Sequence, residues 1–435
     1  MGIFSSCGKK HLDGHKDLTH HDEFIDLSSS VKSVYLPVVS PNLKDIEIVV
    51  NEGDEVKVGT RIGTRTDFYV PVYSPVSGVV KGRVMKFNAA VGRPVNHLVI
   101  ENDFKYTKEE NALTKVTLES SPEEIFAAIK EAGLVGLGGA GFPTYVKYNN
   151  PTNIHTLLVN GVECEPFLTT DYVAMSNDVE SLLVGCELLM KASGATKAVI
   201  AIKVHKAAVK NAVKAKLAEH PSIKLVEVPD KYPMGWERTL IKQVFKKTYD
   251  RLPSELGIIV NNGQTVIELA KVLLTGHPMT DRLVTVSGDA VANPTNVYVK
   301  IGTQAKELIE ACGGLTSEDA NLIPGGPMCT KAVNNDVFPV VMQLGALTIL
   351  QVRTFNEEPC LRCGSCIRHC PANLQPIEIR NALKAKDYDR LLKLDALSCV
   401  ECGMCSYSCP SRIELTDAVK NAKPVVKFKM AQVKK

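Results

Sequence analysis

One tryptophan in 435 residues, aromatics at 6% and a charge balance of 51 basic against 48 acidic residues leave the chain with little that marks a surface binder. A formal net charge of +3 argues against a dedicated nucleic-acid partner, which needs a basic face to neutralise phosphates. Long hydrophobic runs are also missing. The longest uncharged stretch, residues 337–352, contains Pro339, Gln343 and Gly345, too short and too interrupted for a membrane span, and it reads as a buried strand and helix. No transmembrane segment of its own is expected. The N-terminus lacks the apolar core of an export signal, so a cytoplasmic protein is expected. Met1-Gly2-Ile3-Phe4-Ser5-Ser6 fits the loose myristoylation pattern, which a permissive serine satisfies by chance.

Cysteine is what the chain has in excess: thirteen, eight of them in two runs. Cys360, Cys363, Cys366 and Cys370 precede Pro371, and the same C-x2-C-x2-C-x3-C-P run returns 39 residues on (360 to 399) as Cys399, Cys402, Cys405, Cys409 and Pro410. This is the bacterial ferredoxin pattern, in which three thiolates ligate one [4Fe-4S] cube and the fourth crosses to the other. The expected ligand sets are Cys360, Cys363, Cys366 and Cys409 for cluster 1, and Cys370, Cys399, Cys402 and Cys405 for cluster 2. A disulfide framework fits poorly in a long chain without a secretory signal. Paired zinc sites would leave the third and fourth cysteines of each run without a role. The remaining cysteines Cys164, Cys186, Cys312 and Cys329 lack ligand spacing and read as small buried hydrophobes, with Cys329 the one suspected of redox reactivity.

Along the chain, residues 1–30 are polar, with His11, His15, His20 and His21 near Cys7; a metal site is conceivable, a mobile tail or an edge packed on a later domain the simpler reading. Residues 31–105 alternate short strands with turns such as Asn51-Glu52-Gly53-Asp54. They resemble a lipoyl or biotinyl barrel-sandwich domain. Its hairpin, Arg65-Thr66-Asp67-Phe68-Tyr69, has no lysine to modify, which implies a scaffold and not a swinging arm. At Ser121-Pro122-Glu123-Glu124 a capping box opens a helix with Ile125, Ala128, Ile129 and Ala132 on one face, stopped at Gly133. Strand and helix patterns then alternate to about residue 280: strands near 154–159, 198–202, 223–228 and 257–260, helices near 178–191, 206–219 and 236–246. That alternation predicts an α/β layer with a largely parallel sheet, placing Asn160, Asn261 and Asn262 at the strand C-termini where ligands bind.

Between the first helix and the first of these strands lies Gly136-Leu137-Gly138-Gly139-Ala140-Gly141-Phe142-Pro143-Thr144. Gly136, Gly138 and Gly141 satisfy G-x-G-x-x-G, but the segment follows a helix and runs into Pro143, so an ordinary dinucleotide fingerprint does not fit. A glycine loop can still turn successive backbone N–H groups toward a phosphate, with Lys147 adding charge. Residues 282–326 turn β-rich again, and the lysine-rich end reads as a solvated helix and frayed tail.

The glycine stretch 136–144, Asn160-Gly161-Val162-Glu163-Cys164-Glu165-Pro166 and the twin cysteine runs together resemble the RnfC family, the NADH-facing subunit of an ion-translocating oxidoreductase. The first two motifs also look like the flavoprotein subunit of respiratory complex I. The resemblance implies FMN contacts from Gly136, Gly138, Gly139, Gly141, Lys147, Asn160, Asn261 and Asn262, and nicotinamide or flavin contacts from Phe142, Glu163 and Glu165. It implies two [4Fe-4S] clusters, FMN, NADH as substrate, and other electron-transfer subunits as partners, with peripheral placement on the inner face of the membrane. No side chain need act as acid or base. The fold it implies is multidomain α/β plus β: an N-terminal tail (1–30), a barrel-sandwich hybrid (31–105), an FMN/NADH-binding α/β domain (118–280), an SLBB-like β-grasp segment (281–330), a connecting strand and helix (331–354), an α-helical two-cluster ferredoxin domain (355–418) and a basic tail (419–435). Departures from the family pattern, His11-Leu12-Asp13-Gly14-His15-Lys16 and Met328-Cys329, leave open a soluble relative feeding a cobalamin or proline reductase, or a pure electron relay. A biotin-type carrier fused to a ferredoxin is disfavoured by the missing lysine.

Overall fold

The computed structural model describes residues 10–19 and 23–433. Cys7, His20, His21, the Met1–Ser6 pattern, Lys434 and Lys435 lie outside them.

After β1 (Phe24–Asp26) come β2 (Ser33–Pro37), β3 (Ile46–Ile48), β4 (Glu55–Val56), β5 (Arg61–Arg65), β6 (Pro71–Tyr73), β7 (Gly78–Asn88) and β8 (Arg93–Asn102). They form two antiparallel sheets, ordered β2-β8-β7-β4 and β3-β5-β6. The side-chain alternation of β2 sends Val34 and Leu36 inward to meet Ile62, Val80 and Ile100, all buried. Each such aliphatic contributes about 1.5–3 kcal/mol through removal from water. Among the described residues, this is the barrel-sandwich hybrid.

Helix α1 (Pro122–Glu131) has both halves of its capping box: Glu124 N–H donates to Ser121 Oγ and Ser121 N–H to the Glu124 carboxylate. Then follow β9 (Thr156–Gly161), α2 (Thr170–Asn177), α3 (Val179–Ser193), β10 (Lys197–Lys203), α4 (Ala207–Lys216), β11 (Ile223–Val228), α5 (Glu237–Phe245), β12 (Ile258–Asn262) and α6 (Gly263–Thr275). The strands make a wholly parallel sheet in the order β11-β10-β9-β12. Near-continuous apolar runs such as Leu157-Leu158-Val159 and Ala198–Ile202 are buried because helices cover both faces.

The next layer contains β13 (Asp281–Ser287), β14 (Thr295–Lys300), α7 (Ala305–Ala311), β15 (Ala320–Ile323) and β16 (Ala346–Gln351), ordered β1-β14-β13-β16-β15. Two expectations change here. The stretch 337–352 forms no helix: Pro339 and Gly345 break the pattern, and β16 is not a connector but pairs between β13 and β15. The N-terminal segment is not a loose tail, since β1 adds to β14 in parallel. Thr19 is buried against Thr169 and Asn296, and Lys10 bridges to Tyr232.

The final unit is helical: α8 (Ser365–Arg368), α9 (Pro376–Lys384), α10 (Tyr388–Lys393), α11 (Met404–Tyr407) and α12 (Leu415–Val433). The 39-residue repeat of the sequence is repeated in the backbone, α8 recurring as α11 (365 to 404) and the start of α9 as that of α12 (376 to 415). Helix α12 begins before the expected tail and packs Val419, Ala422 and Val426 against Ile379 and Leu391. No helix among the described residues is long and apolar enough to cross a membrane.

Candidate functional site

The glycine loop closes on itself. Gly136 N–H donates to the Phe142 carbonyl at 2.8 Å, Gly141 N–H to the Gly136 carbonyl at 3.3 Å, and Val135 bridges Pro143. Gly139, at φ +100°, takes a conformation L side chains rarely adopt and has open space where a Cβ would stand, so the crest of the loop presents bare backbone. Its underside is clamped. Leu137 N–H donates to Thr265 Oγ1, Gly138 lies against the Asn262 side chain, and the buried Arg282 guanidinium donates to the Leu137 carbonyl, Gln264 Oε1 and the Leu344 carbonyl. Phe142 is exposed and meets Phe68, on the barrel-sandwich hairpin, edge-on at 5.9 Å.

Lys147 sits on the short 3₁₀ turn Thr144–Tyr148. Its ammonium is fully buried, bonded to the Val260 carbonyl at 2.6 Å and more loosely to Asn261 Oδ1 at 3.5 Å. Among the described residues no carboxylate lies within ion-pair distance of it, and burial pushes its pKa down, with the field of Glu237 opposing. Beside it the Thr144 hydroxyl is buried without a partner. A buried cation held by neutral oxygens, next to an orphan hydroxyl and a loop of bare N–H groups, is the donor set a phosphate ester requires. The FMN group fits these residues.

The asparagines stand at the carboxyl ends of β9 and β12, as expected. Asn160 donates to the Gly235 carbonyl at 2.7 Å, Asn261 to the Tyr148 hydroxyl, and Asn262 to Asp171 Oδ2 at 2.6 Å while capping α6 through Thr265 N–H. Glu163, at φ 43°, is turned inward onto Lys206 (2.9 Å) and Lys16 (3.6 Å) and accepts from Asp171 N–H at 2.7 Å. Burial alone would raise its pKa; the two ammonium groups outweigh it and hold Glu163 ionised. Burial and then the Glu163 charge raise Asp171, and Lys16 is lowered to about 8, burial again the largest cause. Glu165 points elsewhere, accepting from Met328 N–H at 3.0 Å, with its other oxygen buried and unpartnered. Sequence reasoning therefore missed Asp171, Lys206, Lys16 and Arg282. The available signal for Asp171 and Arg282 was a charge inside an otherwise apolar element. Nothing local marked the lysines, whose partner is distant in sequence.

The two cysteine runs cross. Cys399, Cys402 and Cys405 each lie within electrostatic reach of Cys370, and these four line one hollow with Pro371, Leu374 and Val419. At the other end Cys366 interacts with Cys409, and the strand leading into Cys360 is tied to the far run by Ser411 Oγ donating to the Pro359 carbonyl at 2.9 Å. Backbone N–H groups of Arg362, Leu374 and Glu401 donate to Cys360, Cys370 and Cys399 Sγ at 3.3–3.4 Å, the sulfur hydrogen bonds that stabilise a thiolate-bound cluster. The [4Fe-4S] groups fit these residues. Cys186 and Cys312 are buried hydrophobes as expected. Cys329 is corrected: burial and the neighbouring Glu165 hold it as a thiol, the unreactive form.

Four families match the chain in order: the RnfC barrel-sandwich hybrid domain over residues 6–105, the Nuo51 FMN-binding domain over 129–271, the SLBB domain over 283–332 and the 4Fe-4S dicluster domain over 359–413. Fold and sites thus define a flavo-iron-sulfur electron-transfer protein. Similarity to whole relatives narrows this. The C component of the proton-translocating ferredoxin:NAD(+) oxidoreductase complex of Clostridium ljungdahlii is 33% identical over 381 residues, 85% of this chain and 82% of its own. The Na(+)-translocating counterpart of Acetobacterium woodii is 33% identical over 353 residues, 79% of each chain. The corresponding component of the ion-translocating oxidoreductase complex of Rhodobacter capsulatus is 34% identical over 405 residues, 90% of this chain and 77% of its own. The chain belongs to the RnfC family, one component of the ion-translocating oxidoreductase complexes. An NAD+-reducing [NiFe]-hydrogenase in the air-oxidised state shares the fold over 63% of this chain and 55% of its own, at TM-score 0.50 and 20% identity.

Proposed function

We propose that the protein oxidises NADH at an FMN held by the glycine loop and passes the electrons through two [4Fe-4S] clusters to another subunit of an Rnf-type membrane complex, docked peripherally on its cytoplasmic side. The observation that carries this reading is Lys147, a fully buried ammonium with neutral partners alone. Bound FMN supplies the conversion between a two-electron hydride donor and one-electron acceptors. The chain's residues do the rest. Gly136, Gly138, Gly139 and Gly141 offer backbone to the phosphate and flavin edge, and Lys147 neutralises the phosphate. Asn160, Asn261 and Asn262 fix the floor at the strand ends. Phe142 walls the exposed side, where a nicotinamide can approach. Glu163 orders the pocket through Lys16, Lys206 and Asp171, and Glu165 braces the loop at Met328. Cys360, Cys363, Cys366 and Cys409 hold one cluster, and Cys370, Cys399, Cys402 and Cys405 the other. The departures at residues 11–16 and 328–329 do not disturb any of these contacts, which favours the membrane-complex reading over a cluster relay without NADH activity.

An anaerobic optical and EPR titration with NADH, on protein supplied with FMN and assayed for flavin, iron and sulfide, tests this. Flavin bleaching together with reduced [4Fe-4S] signals is the expected result. Full clusters reducible by dithionite but silent to NADH, with no flavin bound, would leave an electron relay.

A further inference from the structure

The two halves of the ferredoxin unit have the same local backbone and opposite surroundings. In the second run, Cys402 is buried and its carbonyl accepts from the Tyr232 hydroxyl at 2.7 Å. Tyr232, 2% exposed, comes from the segment between β11 and α5 of the flavin domain, and its hydroxyl also lies 3.3 Å from Cys329 Sγ. The Met328 carbonyl presses on Gly403, where a Cβ would be 2.3 Å away, and Met328 is itself held by Glu165. Met404 is fully buried against Tyr232. Thirty-nine residues earlier (402 to 363, 403 to 364) the same positions face outward. Cys360 and Cys363 are exposed, a Cβ on Gly364 would meet the Arg368 guanidinium alone, and Leu361 is 70% exposed where its counterpart Val400 packs beside Tyr232. Repeat symmetry makes each half a control for the other. What differs is contact with the flavin domain.

We infer that the ferredoxin unit is polarised: electrons come in through the cluster of Cys370, Cys399, Cys402 and Cys405, across the seam of Tyr232, Met328 and Gly403, and leave through the cluster bearing the exposed Cys360 and Cys363. Tyr232 is a positioning residue that fixes the Cys402 loop against the flavin domain and directs its hydroxyl dipole toward that cluster. The inference rests on the function proposed above. Each NADH oxidised to NAD+ yields two electrons and a proton; the electrons cross singly, each lowering one cluster core from 2+ to 1+.

The test compares full-length, FMN-loaded Cys399→Ala and Cys360→Ala, equivalent positions in the two runs, by freeze-quench EPR after mixing with NADH. Flavin bleaching in both variants shows that NADH oxidation itself stands. Cys360→Ala is expected to show its surviving cluster reduced as fast as in the parent protein. Cys399→Ala is expected to show its surviving cluster reduced at least tenfold more slowly by NADH, though fully by dithionite. The reverse pattern, or equal rates, overturns the polarity. Tyr232→Phe, which keeps the ring in place, provides a second reading by potentiometric EPR. One cluster's midpoint should move to lower potential by about a tenfold change in its equilibrium, roughly 59 mV for a one-electron couple, and the signal lost in Cys399→Ala should be the one that moves. A shift in the other signal, or none, overturns the positioning role.

Discussion

Lys147 illustrates how a single side chain states a requirement for its ligand. A buried ammonium loses its hydration and here recovers a carbonyl and a distant amide oxygen, which leaves it electrostatically unsatisfied until an anion arrives. Lys147→Ala should weaken FMN binding by about 30- to 100-fold, the roughly 2–3 kcal/mol of a charge-assisted bond, read by quenching of flavin fluorescence; an unchanged affinity would place the phosphate elsewhere. The glycines and this lysine were readable as a motif. Asp171 and Arg282 were not, because their importance comes from burial against groups about 90 and 145 positions away. His97 makes a separate statement about pH. It is fully buried between Asn88 and the Val95 carbonyl, and burial lowers its folded pKa to about 4. The unfolded chain, with a pKa near 6.5, binds that proton first as pH falls. The stabilisation is therefore complete above about pH 6.5 and is lost between there and pH 4, on the order of 2–3 kcal/mol. His97→Gln should flatten the acid limb of a plot of melting temperature against pH.

Elements with strong local chemistry were legible: the capping box of α1, the parallel strands β9, β10, β11 and β12, and the paired cysteine turns. Helix α2 was not, since Thr170 and Asp171 put polar side chains on its buried face and erase the apolar stripe. The run 337–352 misled for the complementary reason, an apolar composition whose helix is stopped by Pro339 and Gly345 while β16 takes the remaining residues into a sheet. The ferredoxin turns provide a comparison internal to the chain. Gly364 and Gly403 share a positive φ, 69° and 76°, so alanine strains both backbones by about 1 kcal/mol. Gly403→Ala also drives a Cβ into the Met328 carbonyl, whereas Gly364→Ala meets a flexible guanidinium. Gly403→Ala should lower the melting temperature and the iron content far more than Gly364→Ala. Equal effects would show that the seam is loose.

At the scale of the whole molecule, the four units are distinguishable by what holds them. The barrel-sandwich, flavin and SLBB units have aliphatic cores, whereas the core of the helical unit includes the cysteines themselves, Cys370 and Cys399 in one cluster of packed side chains and Cys366, Cys405 and Cys409 in another. Anaerobic iron chelation should therefore abolish the cooperative melting of that unit and leave FMN affinity within about twofold, since structural metal binding supplies folding free energy locally; calorimetry and flavin fluorescence on the same sample check both halves. The order of the units could be read from the sequence, but not the way the N-terminal segment laces them together. Lys10 meets Tyr232, Lys16 meets Glu163, Thr19 meets Thr169 and Asn296, and β1 is an edge strand on β14. That lacing has a consequence for the chain during its synthesis. The first residues made are among the last that can find their places, because the strand and the polar pocket that receive them are not yet translated until about residue 300 has left the ribosome. Most of the molecule takes shape with its leading end still waiting, and closure over several hundred residues makes that docking a late, slow step of folding.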